Sequence, residues 1–281
     1  LLCCGIKKNQ KLTMITESDS FYENLESMNT NSLLFNINNE DHKVSRAVKK
    51  EIPKIELLVD AVFKKMLEGG RLFYIGSGTS GRLGILDASE CPPTFGVDHG
   101  LVHGIIAGGD QAIRKAVENA EDDLNQAWID LENCKVNKYD SVIGLAASGK
   151  TPYVLGGLKA AKNFGCLTAC IVCNEGSPIS KQVDHPIEIT VGPEFLTGST
   201  RMKSGTAQKM VLNMLSTSLM IKLGHVEGNM MIDMQLTNEK LLKRGVKMLN
   251  KLEGINEKDS LELLKKNGSV RKALIEWKKK K

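Results

Sequence analysis

Apolar and polar positions alternate along this chain in two periods. Residues 72–75, 101–107, 141–147, 167–173 and 187–191 are short apolar runs bounded by glycine, proline or small polar residues, which predicts buried strands. Between them the spacing changes to that of helices. Leu83, Ile85 and Leu86 share a face in residues 82–88, and Ile113, Ala116, Val117, Ala120 and Leu124 do so in residues 111–127. Helices are also predicted over 152–163 and over 207–223, where Met210, Val211, Met214, Leu215 and Leu219 turn inward as core residues. Strands alternating with helices predict an α/β fold with a parallel sheet flanked by helices on both faces.

The flanks read differently. Residues 12–45 are polar and predict short helices at 21–28 and 31–37. Val44, Ala47, Val48, Ile52, Ile55, Leu58, Val59 and Val62 then make an amphipathic stripe, with a kink expected at Pro53 and a stop at Gly69-Gly70. Residues 236–281 predict a small, charged helical segment. The expected division is a leader at 1–13, an N-terminal helical arm at 14–68, the sheet domain at 69–235 and the C-terminal segment at 236–281. The arm can pack on its own domain or reach a second subunit.

Three clusters of hydroxyls and glycines carry the candidate chemistry. The first is Gly76-Ser77-Gly78-Thr79-Ser80-Gly81, between a strand and a helix start. Small residues let backbone approach an anion, and free N–H groups with the positive end of the helix dipole face it. Glu90 follows, just before Cys91-Pro92-Pro93, which predicts a rigid helix exit at that carboxylate. The second is Ser148-Gly149-Lys150-Thr151-Pro152, again strand-to-helix, with Pro152 suited to an early helical position. The third, residues 197–206, includes Ser199, Thr200, Arg201 and Lys203 and precedes the last long helix of the domain. The first two turns both follow strands, so both can lie on the carboxyl edge of the sheet and share one phosphate.

Two nucleotide patterns are set aside. Gly76, Gly78 and Gly81 satisfy G-x-G-x-x-G, but the acidic residue after the next strand, Asp110, comes late, and three hydroxyls favour a phosphomonoester. Residues 144–151 satisfy the P-loop expression, yet Leu145, Ala146 and Ala147 read as strand and no later strand ends in a magnesium-holding Asp. Neither NAD nor ATP is expected.

Composition adds limits. The net charge of +5 resides at the end of the chain: residues 265–281 carry a surplus of seven positive charges, leaving −2 for the rest, so no nucleic-acid surface is expected on the body. Seven cysteines without paired C-x-x-C motifs or suitably spaced histidines predict no zinc site and suit a reducing cytosol. No apolar run reaches transmembrane length, and the opening Leu-Leu-Cys-Cys-Gly is too short for a signal peptide, with Met14 a candidate start.

The paired hydroxyl turns resemble those of the sugar isomerase (SIS) domain, which implies a five-stranded parallel sheet. The resemblance narrows to the N-acetylmuramic acid 6-phosphate etherase family. It rests on residues 76–84 and 87–96, on Ala120-Glu121-Asp122-Asp123, on residues 146–153 and on residues 197–209, and it spans about 13–250. It implies a cytoplasmic homodimer that cleaves the D-lactyl ether of N-acetylmuramic acid 6-phosphate without metal or organic cofactor and without nucleic-acid or membrane partners. By motif, Glu90 and Glu121 fall on that family's two catalytic glutamates, with Glu90 matching its proton donor. The expected substrate ligands are Ser77, Gly78, Thr79, Ser80, Ser148, Gly149, Thr151, Ser199 and Thr200, with Arg201 and Lys203 on the lactyl carboxylate.

Elementary chemistry agrees with that division. In the open-chain sugar the C1 aldehyde acidifies the C2 hydrogen and the lactyl oxygen sits on C3. Elimination needs a base at C2 and an acid at the ether oxygen; two carboxyls serve if their pKa values are pushed apart. Two other readings use the same turns: an aldose–ketose phosphosugar isomerase, and a non-catalytic phosphosugar sensor resembling the glucokinase regulatory protein.

Overall fold

The computed structural model describes residues 14–279; the 1–13 leader and the last two lysines lie outside the described residues. Five parallel strands form one sheet: β1 (Leu72–Gly76), β2 (Val102–Ile106), β3 (Ser141–Leu145), β4 (Leu167–Val172) and β5 (His185–Glu188), in the order β2-β1-β3-β4-β5. β1 therefore has β2 on one side and β3 on the other, with Tyr74 opposite both Gly104 and Ile143. The strand order reverses there, and the crevice outside the carboxyl ends of β1 and β3 is where such sheets bind ligands.

Side chains alternate across the sheet and both faces are buried, as a parallel sheet requires. Leu72, Tyr74, Ile143, Leu145, Ala169 and Ile171 pack against α1 (Thr30–Leu67), α2 (Gly78–Phe95) and α6 (Lys203–Lys222). Phe73, Ile75, Val142, Cys170 and Val172 face α4 (Gln126–Asn133) and α5 (Pro152–Phe164). A third apolar cluster, including Met248, Leu249, Leu264, Val270 and Leu274, is built by α7 (Glu239–Glu253), α8 (Glu257–Asn267) and α9 (Val270–Lys278). Asn238, Asn256 and Ser269 cap these three helices through their side chains. Among the described residues no helix is long and apolar enough to cross a membrane.

Three expectations change. The long helix of the arm is not a set of short pieces: α1 runs unbroken through Pro53, and Ile15–Glu17 and Leu25–Ser27 form two short 3-10 turns before it. A helix-interior proline costs about 3 kcal/mol. Burial of Val44, Val48, Ile55, Leu58, Val59, Val62 and Met66 outweighs it. Likewise α2 includes Pro92 and Pro93 and stops only at Gly96, whose N–H donates to Pro92 O at 2.9 Å. Cys91, Pro92 and Phe95 are buried, so the last turn is held by packing, and Glu90 lies inside the helix rather than at its exit. The third is the predicted helix over 111–127. The structure has α3 (Gln111–Arg114), an irregular stretch, then α4. Asn119 takes a left-handed conformation (φ 60°), and Asp123 Oδ1 accepts from the N–H groups of Asn125 and Gln126 at the start of α4.

Candidate active site

β1 ends at Gly76 and α2 begins at Gly78, so the first turn delivers its N–H groups to the carboxyl edge of the sheet. Only glycine fits at 81: a Cβ there would lie 2.8 Å from Gly76 O and 2.6 Å from Ile106 Cγ1. Ser77 Oγ donates to Glu121 Oε2 at 2.8 Å. Ser80 is buried, and its hydroxyl donates to Gln208 Oε1 at 2.8 Å. Gln208, in turn, donates from Nε2 to Ile171 O on β4. Thr79 is half-buried, and its methyl group would touch a Cβ on Gly205 at 3.4 Å, which places the start of α6 beside this turn.

The second turn follows β3. Gly149 has φ 69°, and a Cβ would lie 2.4 Å from Ser177 Oγ. Ser148 and Thr151 are half-buried; Ser148 Oγ accepts from Lys150 N at 3.2 Å, and Pro152 opens α5 as expected. Asn174 holds this turn. Its Nδ2 lies 3.3 Å from Ala147 O, 3.2 Å from Ser148 O and 2.8 Å from Thr16 Oγ1, while Oδ1 accepts from Thr16 N at 3.3 Å. Thr16 is fully buried.

The third cluster is held from the same N-terminal segment. Ser20 N donates to Thr197 Oγ1 at 2.9 Å, Ser20 Oγ donates to Phe195 O at 2.6 Å, and the Tyr22 ring packs on Phe195 with centroids 5.0 Å apart. Ser199 and Thr200 are half-buried and Arg201 is exposed. Buried Glu194 caps α6, accepting from Lys203 N and Ser204 N, each at 2.9 Å. Lys203 departs from expectation. It is the first residue of α6, its side chain is 2% exposed, and Nζ pairs with Glu40 Oε2 of α1 at 2.6 Å. That ion pair withdraws Lys203 from a substrate carboxylate. Burial alone would push the Glu40 carboxyl up, but hydrogen bonds from Lys203 and Lys43 outweigh it and hold the group below its ordinary value of 4.5.

The two glutamates sit apart. Glu121 lies in the irregular stretch, not on a helix, and its carbonyl accepts from Tyr153 N at 3.0 Å, which ties it to α5. It lines a cavity of about 230 Å³ together with Ser77, Gly78, Arg82, Ala107, Ala112, Val117, Glu118 and Ala120. Glu90 is exposed on α2, twelve residues after Gly78. At 1.5 Å per residue that is about 18 Å along the helix axis from Gly78. One turn before Glu90, Asp87 points inward, where it accepts from Tyr74 Oη and Ser216 Oγ, both at 3.1 Å. Burial pushes its carboxyl above the ordinary value of 3.8, against the pull of Lys209 at 3.6 Å. Among the described residues no three His, Cys, Asp or Glu side chains cluster as metal ligands.

Comparison with known proteins decides the family. Residues 131–218 match the SIS domain model, and residues 54–162 match the glucokinase regulatory protein N-terminal SIS domain model. An N-acetylmuramic acid 6-phosphate etherase of Christiangramia forsetii is 60% identical over 259 residues, 92% of this chain and 94% of that protein. The chain belongs to the N-acetylmuramic acid 6-phosphate etherase family. A second etherase, from Porphyromonas gingivalis, is 54% identical over 95% of this chain and 97% of its own length. The etherase chain also shares its fold with more distant solved structures. A phosphoheptose isomerase from Neisseria gonorrhoeae superposes with a TM-score of 0.52 at 14% identity, covering 67% of this chain and 97% of that one. A phosphoheptose isomerase from Francisella tularensis gives a TM-score of 0.51 at 15% identity, over 69% of this chain and 100% of its own.

Sequence reasoning missed Asn174, Gln208, Thr16 and Arg82 as residues of this neighbourhood. Gln208 carried a signal, since it stands one turn inside the helix that follows the third hydroxyl cluster. Asn174 and Thr16 carried none, because each acquires its role from a partner 158 residues away.

Proposed function

We propose that the chain cleaves the D-lactyl ether of N-acetylmuramic acid 6-phosphate, giving N-acetylglucosamine 6-phosphate and D-lactate. The observation that carries this reading is the hydrogen bond from Ser77 to Glu121, which holds a carboxylate beside the phosphate turn of a family member. The 6-phosphate occupies the turns at 76–81 and 148–151, and the sugar opens to its aldehyde. Glu121 takes the C2 proton; the resulting enolate expels the C3 substituent, and Glu90 protonates the departing lactate oxygen. Glu90 then takes a proton from the water that adds at C3, and C2 is reprotonated. Each acid or base of this kind typically contributes about 10²–10⁴-fold.

The separation along α2 supports a homodimer as the active unit, with Glu90 of one copy serving the cavity beside Glu121 of the other. Five described cysteines are free thiols, which supports a cytoplasmic setting. Mixing Glu90→Ala with Glu121→Ala protein tests the arrangement. Each variant alone is expected to be inactive, and subunit exchange should restore about a quarter of wild-type lactate release, because half the dimers gain one complete site of two. No recovery after demonstrated exchange would place both carboxylates in one chain and overturn the shared site. The match of residues 54–162 to the regulatory-protein model favours a second reading, a phosphosugar sensor without turnover. An enzyme-coupled D-lactate assay on wild-type protein decides: a sensor releases none.

A further inference from the structure

The substrate proposed above carries two anionic groups, and the hydroxyl turns account for one. The lactyl carboxylate needs its own cation. Lys203 is buried on Glu40, Lys209 faces Asp87 at 3.6 Å, and Arg201 and Lys150 are exposed and line no part of the Glu121 cavity. Arg82 does line it, and it is the cation among the residues that do. It stands in the second turn of α2, four residues beyond Gly78, the first residue of that helix.

We propose that Arg82 binds the lactyl carboxylate and so selects the ether substrate over the sugar phosphate left after cleavage; the proposal rests on the etherase reading. The guanidinium is oriented before any ligand arrives. Arg82 Nε donates to Ile113 O at 2.8 Å, and no described carboxylate lies within ion-pair distance of the guanidinium. That leaves the two terminal nitrogens as donors in a fixed plane, the geometry that matches a carboxylate with two parallel hydrogen bonds. Charge points the same way. Glu118 and Glu121 line the same cavity and repel an anionic substituent, so a cation beside them is required for an anion to enter.

The test is calorimetric, with two probes that cannot react because C1 is reduced to an alcohol: N-acetylmuramitol 6-phosphate, which keeps the lactyl group, and N-acetylglucosaminitol 6-phosphate, which lacks it. Arg82→Gln should weaken binding of the lactyl probe about tenfold to a hundredfold, the loss of a charged hydrogen-bonded pair, and leave the lactyl-free probe within about twofold. Arg82→Lys, which keeps a cation without the planar fork, should show an intermediate loss on the lactyl probe alone; it also keeps the proposal falsifiable if the Gln variant does not fold. Equal losses on both probes would assign Arg82 to the phosphate and overturn the proposal, as would no loss on either. Wild-type lactate release, measured in parallel, separates the two readings. Absent release with lactyl discrimination that depends on Arg82 sinks the etherase and keeps the subsite. Release without that discrimination sinks the subsite alone.

Discussion

The turns at 76–81 and 147–151 look alike in sequence, and each joins a strand to a helix, yet they are held in place by different means. The first is local. Gly76 and Gly81 press backbone on backbone, Ile106 of the neighbouring strand closes the space, and the turn is finished within a few residues of its own strand. The second borrows its support. Asn174 and Thr16 supply hydrogen bonds to each other, and Asn174 lies beside the carbonyls of Ala147 and Ser148. Thr16 belongs to the same segment that reaches the third cluster through Ser20 and, at Tyr22, touches Glu40. The backbone of one turn is thus closed within its βα unit, and that of the other is held by a polar strap from the start of the described chain.

The largest way to break that contrast is at the root of the strap. Glu40→Gln leaves the Lys203 ammonium buried without its counter-charge and should cost about 3–5 kcal/mol in urea unfolding. The pH dependence has a fixed sign. The Glu40 carboxyl is held below its ordinary value of 4.5, so its contribution is complete above that value and is lost as pH falls through the lower folded value. Glu40→Gln should therefore be less stable at neutral pH and lose less on acidification below about pH 4. A variant whose acid limb overlays that of the wild type would remove the ion pair from the account. Next is Asn174→Ala, which strands buried polar partners and should cost about 3 kcal/mol. It should also weaken inhibition by inorganic phosphate, and its effect should be non-additive with Thr16→Ala. Full additivity would mean the strap does not act through Asn174. The smallest effect is expected at the intrinsic turn. Gly81→Ala should cost about 2 kcal/mol by overpacking and add independently to Thr16→Ala. Measured coupling between those two would erase the distinction between the turns.

Legibility in the sequence followed the same division. The five strands, the first turn and Pro152 at the head of α5 are encoded within a few residues, so period and turn chemistry reveal them. The continuity of α1 was hidden because Pro53 is a local signal, whereas the stripe from Val44 to Met66 offsets its cost by packing on α6 and on the sheet at β4 and β5. Glu121 was misplaced because Ile113, Val117, Ala120 and Leu124 mimic a helix; in the structure Val117 packs over Gly108, and Leu124 is half exposed where its carbonyl approaches Gly156. Lys203 read as a substrate ligand because its partner, Glu40, lies 163 residues earlier. The separation of Glu90 from the turn follows from the unbroken helix between Gly78 and Glu90, whereas the prolines beyond it decide only that Glu90 lies inside the helix and not at its exit.

The strap has a consequence for how the molecule is made. Its hydrogen bonds join residues 158 and 177 positions apart. Closing loops of that span is entropically slow, and contacts of this kind form late. On a ribosome adding about 5–20 residues per second, Thr16 and Ser20 wait roughly eight to thirty-five seconds for their partners to be synthesised. The first described residues of the chain are therefore among the last to find their native place, and the second hydroxyl turn is completed only when the nascent sheet domain has already emerged.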